Sequence, residues 1–285
     1  MKITAKTKMC IIIGDPVEHS LSPEMHNAGY EALGIDDQYV FTGATVKSQK
    51  LKEVIKAVRA MGIRGLTCTI PHKIEVMRYL DEIDETAKKI GAVNTVVNEK
   101  GKLTGYNTDW LGVIKPLEKY GKLNGKKVAV IGAGGAARAM VYGVLKRGGS
   151  VIIFNRTLEK AWDLIKTLKI KNGSAISLLS SKDLSHIEGV TECDIILNAT
   201  NLGMGELENK TPVPKKFIKK HHIVFDAVYV PYETRLLKDA KEKGAKIIHG
   251  TEMLLHQGLA QFELYTGKEA PENVMRRELH KYLKI

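Results

Sequence analysis

The sequence predicts an α/β fold of two successive domains, each centred on a sheet. Three observations carry this. Short strand-like runs alternate with helical patterns along almost the whole chain, which indicates a mainly parallel sheet with helices on its faces. Past the first third, a polar, glycine-containing junction is followed by a strand, a glycine turn, a helix and a second strand. The 285 residues, 44% hydrophobic and 27% charged, are enough for one large domain or two of ordinary size.

In chain order, MCIII from Met9 reads as the first strand. SPEMHNAGYEALG follows as a helix, with Ser22 as its cap and Pro23 in the first turn. YVFTGA reads as a strand, SQKLKEVIKAVRA as a helix, and a further strand ends before Thr69. Two short helical patterns run from Pro71 to Lys89, and VNTVV and LTGYN are strands about a turn at Gly101. A helix begins near Thr108 and carries to Tyr120. Gly121–Lys127, GKLNGKK, is the candidate junction. Beyond it the strand pattern continues through CDIILNAT, HIVFDAVY and AKIIHG, and two helical segments close the chain from Thr251. The expected division is residues 1–123, 124–250 and 251–285, the last packing back on the first.

Composition removes several classes of function. The net charge of +12 is spread along the chain, densest at KKFIKKHH from Lys215 to His222. Without an arginine-rich arm, zinc-finger spacing or RNP-type aromatics, it reads as a solvated lysine surface with a few positions recruited for anions, not as a nucleic-acid interface. No stretch approaches the length of a membrane span, and Met9–Ile13 is broken by Gly14 and Asp15 without a cleavage pattern. Cys10, Cys68 and Cys193 are odd in number and far apart, so the expectation is free thiols in a reducing cytoplasm. His19 and His26 have no carboxylate or cysteine at ligand spacing, so no metal is expected.

The glycine turn has a chemistry of its own. Val128–Ile131 is a short apolar strand, and Gly132-Ala133-Gly134-Gly135-Ala136-Ala137 opens the next helix. Gly132 permits the tight turn, Gly134 lets the backbone approach a pyrophosphate, and Ala137 allows close helix–strand packing. This is the G-x-G-x-x-A fingerprint of a Rossmann-type dinucleotide-binding domain. About 20 residues on, NAD-binding folds place a carboxylate for the ribose 2′-hydroxyl. Here that place reads Asn155-Arg156-Thr157, with Lys160 in the next turn. Arg clamps a 2′-phosphate that a carboxylate would repel, so the expected cofactor is NADP. Asn155 and Thr157 also suit a helix cap.

The first half of the chain carries a resemblance. Gly14-Asp-Pro-Val-Glu-His-Ser20-Leu-Ser22-Pro-Glu-Met-His-Asn27, Thr69-Ile-Pro-His-Lys73, Gly91-Ala-Val-Asn94-Thr95 and Asn107-Thr108-Asp109 resemble the successive signatures of the shikimate dehydrogenase family. Asn198-Ala-Thr200, Asp226-Ala-Val-Tyr229 with Pro231, and Gly250-Thr-Glu-Met253-Leu-Leu-His-Gln257 continue the likeness over nearly the whole chain. The resemblance implies a cytoplasmic, NADP-dependent oxidoreductase interconverting 3-dehydroshikimate and shikimate, a monomer or homodimer, with a substrate domain at the N-terminus.

It also implies roles. Lys73 and Asp109 would be catalytic, since hydride addition to a ketone makes an alkoxide that needs a proton, and a carboxylate can hold the ammonium that gives it. Ser20 and Ser22 flank a strand-to-helix turn where two hydroxyls and a helix N-terminus can meet a carboxylate. With them, Thr69, Asn94, Tyr229 and Gln257 would bind substrate. Gly132, Ala133, Gly134, Gly135, Ala136, Asn155, Arg156, Thr157, Lys160, Thr200, Ala227, Gly250 and Met253 would line the cofactor.

The chain departs from the family in three places. Thr67-Cys68 stands where Asn-Val is usual, Trp110 where Gly is common, and Lys160 where some relatives have a second Arg. The first two bear on substrate affinity and specificity, and the third on the margin of NADP preference. A quinate/shikimate dehydrogenase of broader specificity is the alternative within the enzyme class. A non-catalytic NADPH-binding regulator would be expected to lack Lys73 or Asp109, and both are present. Other reductases with the same glycine turn have no reason to carry HSLSPEMHN.

Overall fold

A computed structural model describes residues 3–168, 176–180 and 184–285. The chain forms two compact units, Met1–Thr108 with Leu255–Ile285, and Asp109–Leu254.

The first unit opens with β1 (Lys8–Gly14), α1 (Ser22–Ala32), β2 (Tyr39–Thr45), α2 (Leu51–Ala60) and β3 (Gly65–Cys68). β4 (Glu82–Ile83), α3 (Glu85–Ile90), β5 (Thr95–Glu99) and β6 (Lys102–Tyr106) follow. Its sheet has the order β2-β1-β3-β5-β6-β4. Only β5 runs against its neighbours, because it is joined to β6 by a hairpin. Lys100 and Gly101 both have positive φ there, the two-residue turn that matches strand twist. β4 escapes a reading of the sequence because two residues show no alternation; the second helical pattern survives as α3. Asp84 caps α3 by accepting from Thr86 N at 2.8 Å, and left-handed Gly91 ends it.

Strand alternation sends Ile13 and Leu66 to one face, where Leu51, Ile55 and Val58 of α2 cover them at helical spacing. The opposite face carries an aromatic cluster. His26 of α1 stacks on Phe41 at 4.4 Å, and Tyr30 meets Phe262 at 5.1 Å. Gly29 is needed there, since a Cβ would lie 2.8 Å from the Phe262 ring.

His26 thus belongs to a packed helix face, as its spacing suggested, and burial pushes its imidazole down to about 3. A histidine kept neutral in the fold but near 6.5 when unfolded stabilises the protein fully above pH 6.5. That contribution is lost as pH falls towards 3. Between pH 7 and 4 the parent should lose about 3 kcal/mol more stability than His26→Phe. Urea titrations at the two pH values check this; equal losses in both proteins refute it.

The second unit begins with α4 (Asp109–Glu118), β7 (Lys127–Ile131), α5 (Gly135–Lys146), β8 (Ser150–Asn155) and α6 (Leu158–Thr167). It continues through β9 (Ile176–Ser180), β10 (Ile195–Asn198), β11 (Ile223–Asp226), α7 (Arg235–Glu242) and β12 (Lys246–Ile248). All its strand pairs are parallel, in the order β12-β11-β10-β7-β8-β9. Val128 and Val130 face the core under α4 and α5, while Ala129 and Ile131 face the one under α7. α8 (Gly250–Thr266) starts in this unit and continues into the first, which α9 (Glu272–Leu283) completes.

The units divide after Thr108, upstream of the junction expected at residues 121–127. The reason is packing: Val113, Ile114, Leu117 and Leu123 are all buried in the second unit's core. A Cβ on Gly143 of α5 would meet Ile114 at 2.6 Å, so α4 and α5 are in intimate contact. Trp110 joins them, edge-on to Tyr142 at 5.8 Å with Lys146 Nζ 4.4 Å from its ring. The departure at Trp110 therefore serves helix packing as well as whatever it does to substrate affinity. Among the described residues, no helix is long and apolar enough to cross a membrane. The three cysteines are free and buried, and burial pushes Cys10 and Cys68 up to about 12.

Candidate functional site

In the second unit the strand order reverses between β7 and β10, and ligands of open α/β sheets bind beyond the carboxyl ends of strands at such a point. Gly132 lies there with φ of 111°, and a Cβ on it would approach Ala199 O to 3.2 Å. Any other residue would be strained and would press on the end of β10. Gly134, by contrast, has nothing within 4 Å of where a Cβ would lie, so its backbone is open to a ligand. The first hydrogen bond across the turn is Arg138 N to Gly134 O. The N–H groups of Gly135, Ala136 and Ala137 thus have no acceptor within the helix, an arrangement that suits a phosphate. Ala133 and Ala137 are buried in the core beneath.

The neighbouring strand ends gather other expected residues. Thr200 follows β10 and Ala227 follows β11, while Gly250 fits so tightly that a Cβ would meet Val228 O at 2.4 Å. Met253 is buried in the same core as β7 and α5. Tyr229 is half-buried two residues past Ala227.

A network that no sequence motif assigned holds these ends together. Asp226 Oδ1 accepts from Asn198 Nδ2 at 2.9 Å and Val228 N at 3.0 Å, and Oδ2 accepts from Thr234 Oγ1 at 2.6 Å. Asn198 Oδ1 in turn accepts from Thr200 N at 3.0 Å and Thr200 Oγ1 at 2.7 Å. Burial still pushes the Asp226 carboxyl up to about 6, against the pull of its three donors. The available sequence signal was a polar residue at the end of each of two otherwise apolar strands, IILN and IVFD.

At the end of β8, Asn155 Nδ2 donates to Thr157 O at 2.6 Å. Thr157 occupies the N-cap position of α6 but makes no side-chain cap bond, so only the backbone half of the capping expectation holds. Arg156 and Lys160 are exposed. Arg156 stands at the strand end, where no carboxylate is present, and with Lys160, which follows Glu159 in the first turn of α6, it offers donors that fit a 2′-phosphate. Arg138, buried on α5, reaches Asp163 of α6 at 2.5 Å and ties down the helix that follows Arg156.

In the first unit, Thr69 N donates to Ile13 O at 2.9 Å, and a Cβ on Gly14 would lie 2.4 Å from Thr69 Cγ2. Lys73, half-buried, is held through its carbonyl by Val93 N at 2.8 Å, and Asn94 O accepts from Cys68 N at 2.8 Å. Thr69, Lys73 and Asn94 therefore share one edge of the sheet, where β3 ends and antiparallel β5 begins. Asn94 Nδ2 also lies 3.5 Å from Gln257 Oε1.

Ser22 is not the cap of α1: Leu21 holds that position, and Ser22, 2% exposed, is the first helical residue. Ser20 Oγ accepts from Ser22 N at 3.3 Å, so the two serines are adjacent at the helix N-terminus. Asp109, 4% exposed, begins α4 in the second unit, where a carboxylate is favoured by the helix dipole.

Three family descriptions match successive parts of the chain. They are the shikimate dehydrogenase substrate binding domain over residues 12–96, shikimate / quinate 5-dehydrogenase over 116–231, and the shikimate 5′-dehydrogenase C-terminal domain over 250–280. The shikimate dehydrogenase (NADP(+)) of Methanococcus aeolicus is 44% identical over 280 residues, covering 97% of this chain and 98% of that protein. A crystal structure of a shikimate dehydrogenase with NADP+ superposes with a TM-score of 0.90 at 42% identity, over 99% of this chain and 98% of that one. The Listeria monocytogenes shikimate 5-dehydrogenase, solved with shikimate and NAD, gives 0.87 at 36% identity over 97% and 98%.

Proposed function

This chain belongs to the shikimate dehydrogenase family, and on that premise we propose that it reversibly reduces 3-dehydroshikimate to shikimate with NADPH. The observation that carries the proposal is the likeness to an NADP-dependent shikimate dehydrogenase at 44% identity over 97% of the chain. The open Gly134 backbone and the Arg156–Lys160 pair support the cofactor choice.

NADPH, when bound, supplies the hydride. The unpaired N–H groups at the start of α5 would hold its pyrophosphate, and Arg156 with Lys160 its 2′-phosphate. Ala227, Gly250 and Met253 would border the nicotinamide. Ser20 and Ser22 would bind the substrate carboxylate, and Thr69, Asn94, Tyr229 and Gln257 its ring hydroxyls. Lys73 would give its proton to the oxygen that becomes the new hydroxyl, and Asp109 would keep that ammonium charged and oriented. Most of the residues assigned to the substrate thus belong to the first unit, Tyr229 and Asp109 being exceptions, and those assigned to the cofactor belong to the second. We place the enzyme in the cytoplasm, in the pathway to aromatic amino acids, as a monomer or homodimer.

A quinate/shikimate enzyme is the second reading, favoured by the shikimate / quinate description that matches residues 116–231. Quinate carries an extra hydroxyl on the carbon that bears the carboxylate, which a pocket shaped for shikimate should penalise. The deciding assay follows NADPH oxidation with 3-dehydroshikimate and with 3-dehydroquinate. The first should be much faster. A faster second reaction would move the chain to the quinate reading, and no oxidation with either would remove both.

A further inference from the structure

Behind Asn94 a chain of buried polar side chains runs into the core of the first unit. Tyr265 Oη lies 2.9 Å from Thr67 Oγ1, and Thr67 Oγ1 lies 3.3 Å from Gln261 Oε1. Gln261 Nε2 donates to Thr95 Oγ1 at 2.9 Å, and Thr95 Oγ1 to Asn94 Oδ1 at 2.8 Å. Gln261 is 0% exposed, and Thr95 is equally sealed. A carboxamide is costly to bury unless both its ends are satisfied, and here they are.

The direction of every proton in the chain follows from one obligate donor. Thr108 N–H donates at 2.8 Å to the Asn94 side chain, so the atom it meets is an acceptor, Oδ1. Thr95 then gives its single hydroxyl proton to the same oxygen, 2.8 Å away, and accepts from its other neighbours. The nearer of these is Gln261 at 2.9 Å, with Thr108 Oγ1 at 3.4 Å, so the Nε2 end of Gln261 faces Thr95 and its Oε1 end faces Thr67. Thr67 gives its proton to Gln261, and Tyr265 gives one to Thr67. Asn94 Nδ2 is left to donate, to Thr108 Oγ1 at 2.9 Å and towards Gln257 Oε1 at 3.5 Å.

Gln257 and Gln261 stand one turn apart on α8, which puts them on the same helix face. We propose that Gln261 is a positioning residue: by gripping Thr95 it fixes where α8 sits along β5, and so where Asn94 and Gln257 meet. This rests on the substrate reading above, in which those two amides hold the ring. It also gives the Thr67 departure a purpose, since the short hydroxyl reaches both Gln261 and Tyr265. Gln261 also neighbours the buried His26, and its bond to Thr95 at 2.9 Å is shorter than its 3.3 Å contact with Thr67.

The test compares the parent with Gln261→Met, Thr95→Val and Thr95→Ser. Circular dichroism and a urea titration first confirm that each variant is folded, since NADP is assigned to the other unit. Gln261→Met and Thr95→Val should each raise the Michaelis constant for shikimate about tenfold, the effect of one lost buried hydrogen bond, with that for NADP unchanged. Thr95→Ser, which keeps the hydroxyl, should restore the parent value. Exchange of the Asn94 and Gln257 side-chain amide protons, read by NMR, should quicken in the first two variants and not in the third. This readout decides the positioning claim even if the parent proved inactive on shikimate, a result that would sink only the substrate reading. Parent-like exchange in Gln261→Met overturns the inference. So does an equal rise in both Michaelis constants, or a Thr95→Ser protein as impaired as Thr95→Val.

Discussion

Lys73→Met should cut turnover by about 10²–10⁴-fold, the usual size of general acid–base catalysis. Hydride addition to a ketone leaves an oxyanion, and without a positioned donor its proton must come from solvent. Methionine keeps much of the lysine volume and removes the charge. The loop itself should survive, because it is held by the Lys73 carbonyl, which accepts from Val93 N at 2.8 Å whatever the side chain. Asp109→Asn should slow the reaction too, since an amide offers no charge to orient an ammonium. If the two residues act as a unit, the double variant will be little worse than the poorer single one. Cofactor titration and stopped-flow turnover make the comparison. A Lys73→Met protein that binds both ligands and turns over at the parent rate removes this proton donor, while leaving family membership untouched.

Arg156→Asp should reverse the cofactor preference. The parent is expected to bind NADPH more tightly than NADH. Losing a charged hydrogen bond to the 2′-phosphate should weaken NADPH by about 1–3 kcal/mol, with repulsion from the new carboxylate adding to it. NADH has no 2′-phosphate, so its affinity should change little, and an Asp at that position can accept from its ribose. Because Arg156 is exposed, the substitution should leave folding alone. Fluorescence titration with the two dinucleotides reads the result. Equal affinities in the parent would defeat the assignment of this strand end to the 2′-phosphate.

The sequence alone was enough to read strand, turn and helix at Val128–Ala137, because that motif states local backbone needs. Gly132 is required by a φ of 111°, and Gly134 by open access, and neither depends on a distant partner. Arg156 was readable at its strand end from the absence of a carboxylate there, whereas Thr200 and Ala227 came from resemblance. Lys73 and Asp109 came from resemblance, and periodicity by itself would have left them a surface lysine and a helix-starting carboxylate.

Local pattern was weaker wherever two good local solutions competed. Ser22 is a fine cap residue, yet the helix starts one residue earlier and uses it as its first turn. GKLNGKK has the composition of a linker, yet the second unit begins at Asp109. The apolar face of α4 finds its partner in α5, and no local rule names which sheet a helix will cover.

The tertiary structure alone decided the polar interior. Gln261 and Thr95 are 166 positions apart, and Asn198 and Asp226 are 28 apart. A side-chain hydrogen bond has a reach of about 3 Å, and that proximity exists only after the sheets have formed. Composition and periodicity specify which faces are apolar and where the backbone must turn. Which buried amide meets which hydroxyl is settled by packing, since an unmet polar group inside costs more than any local preference returns.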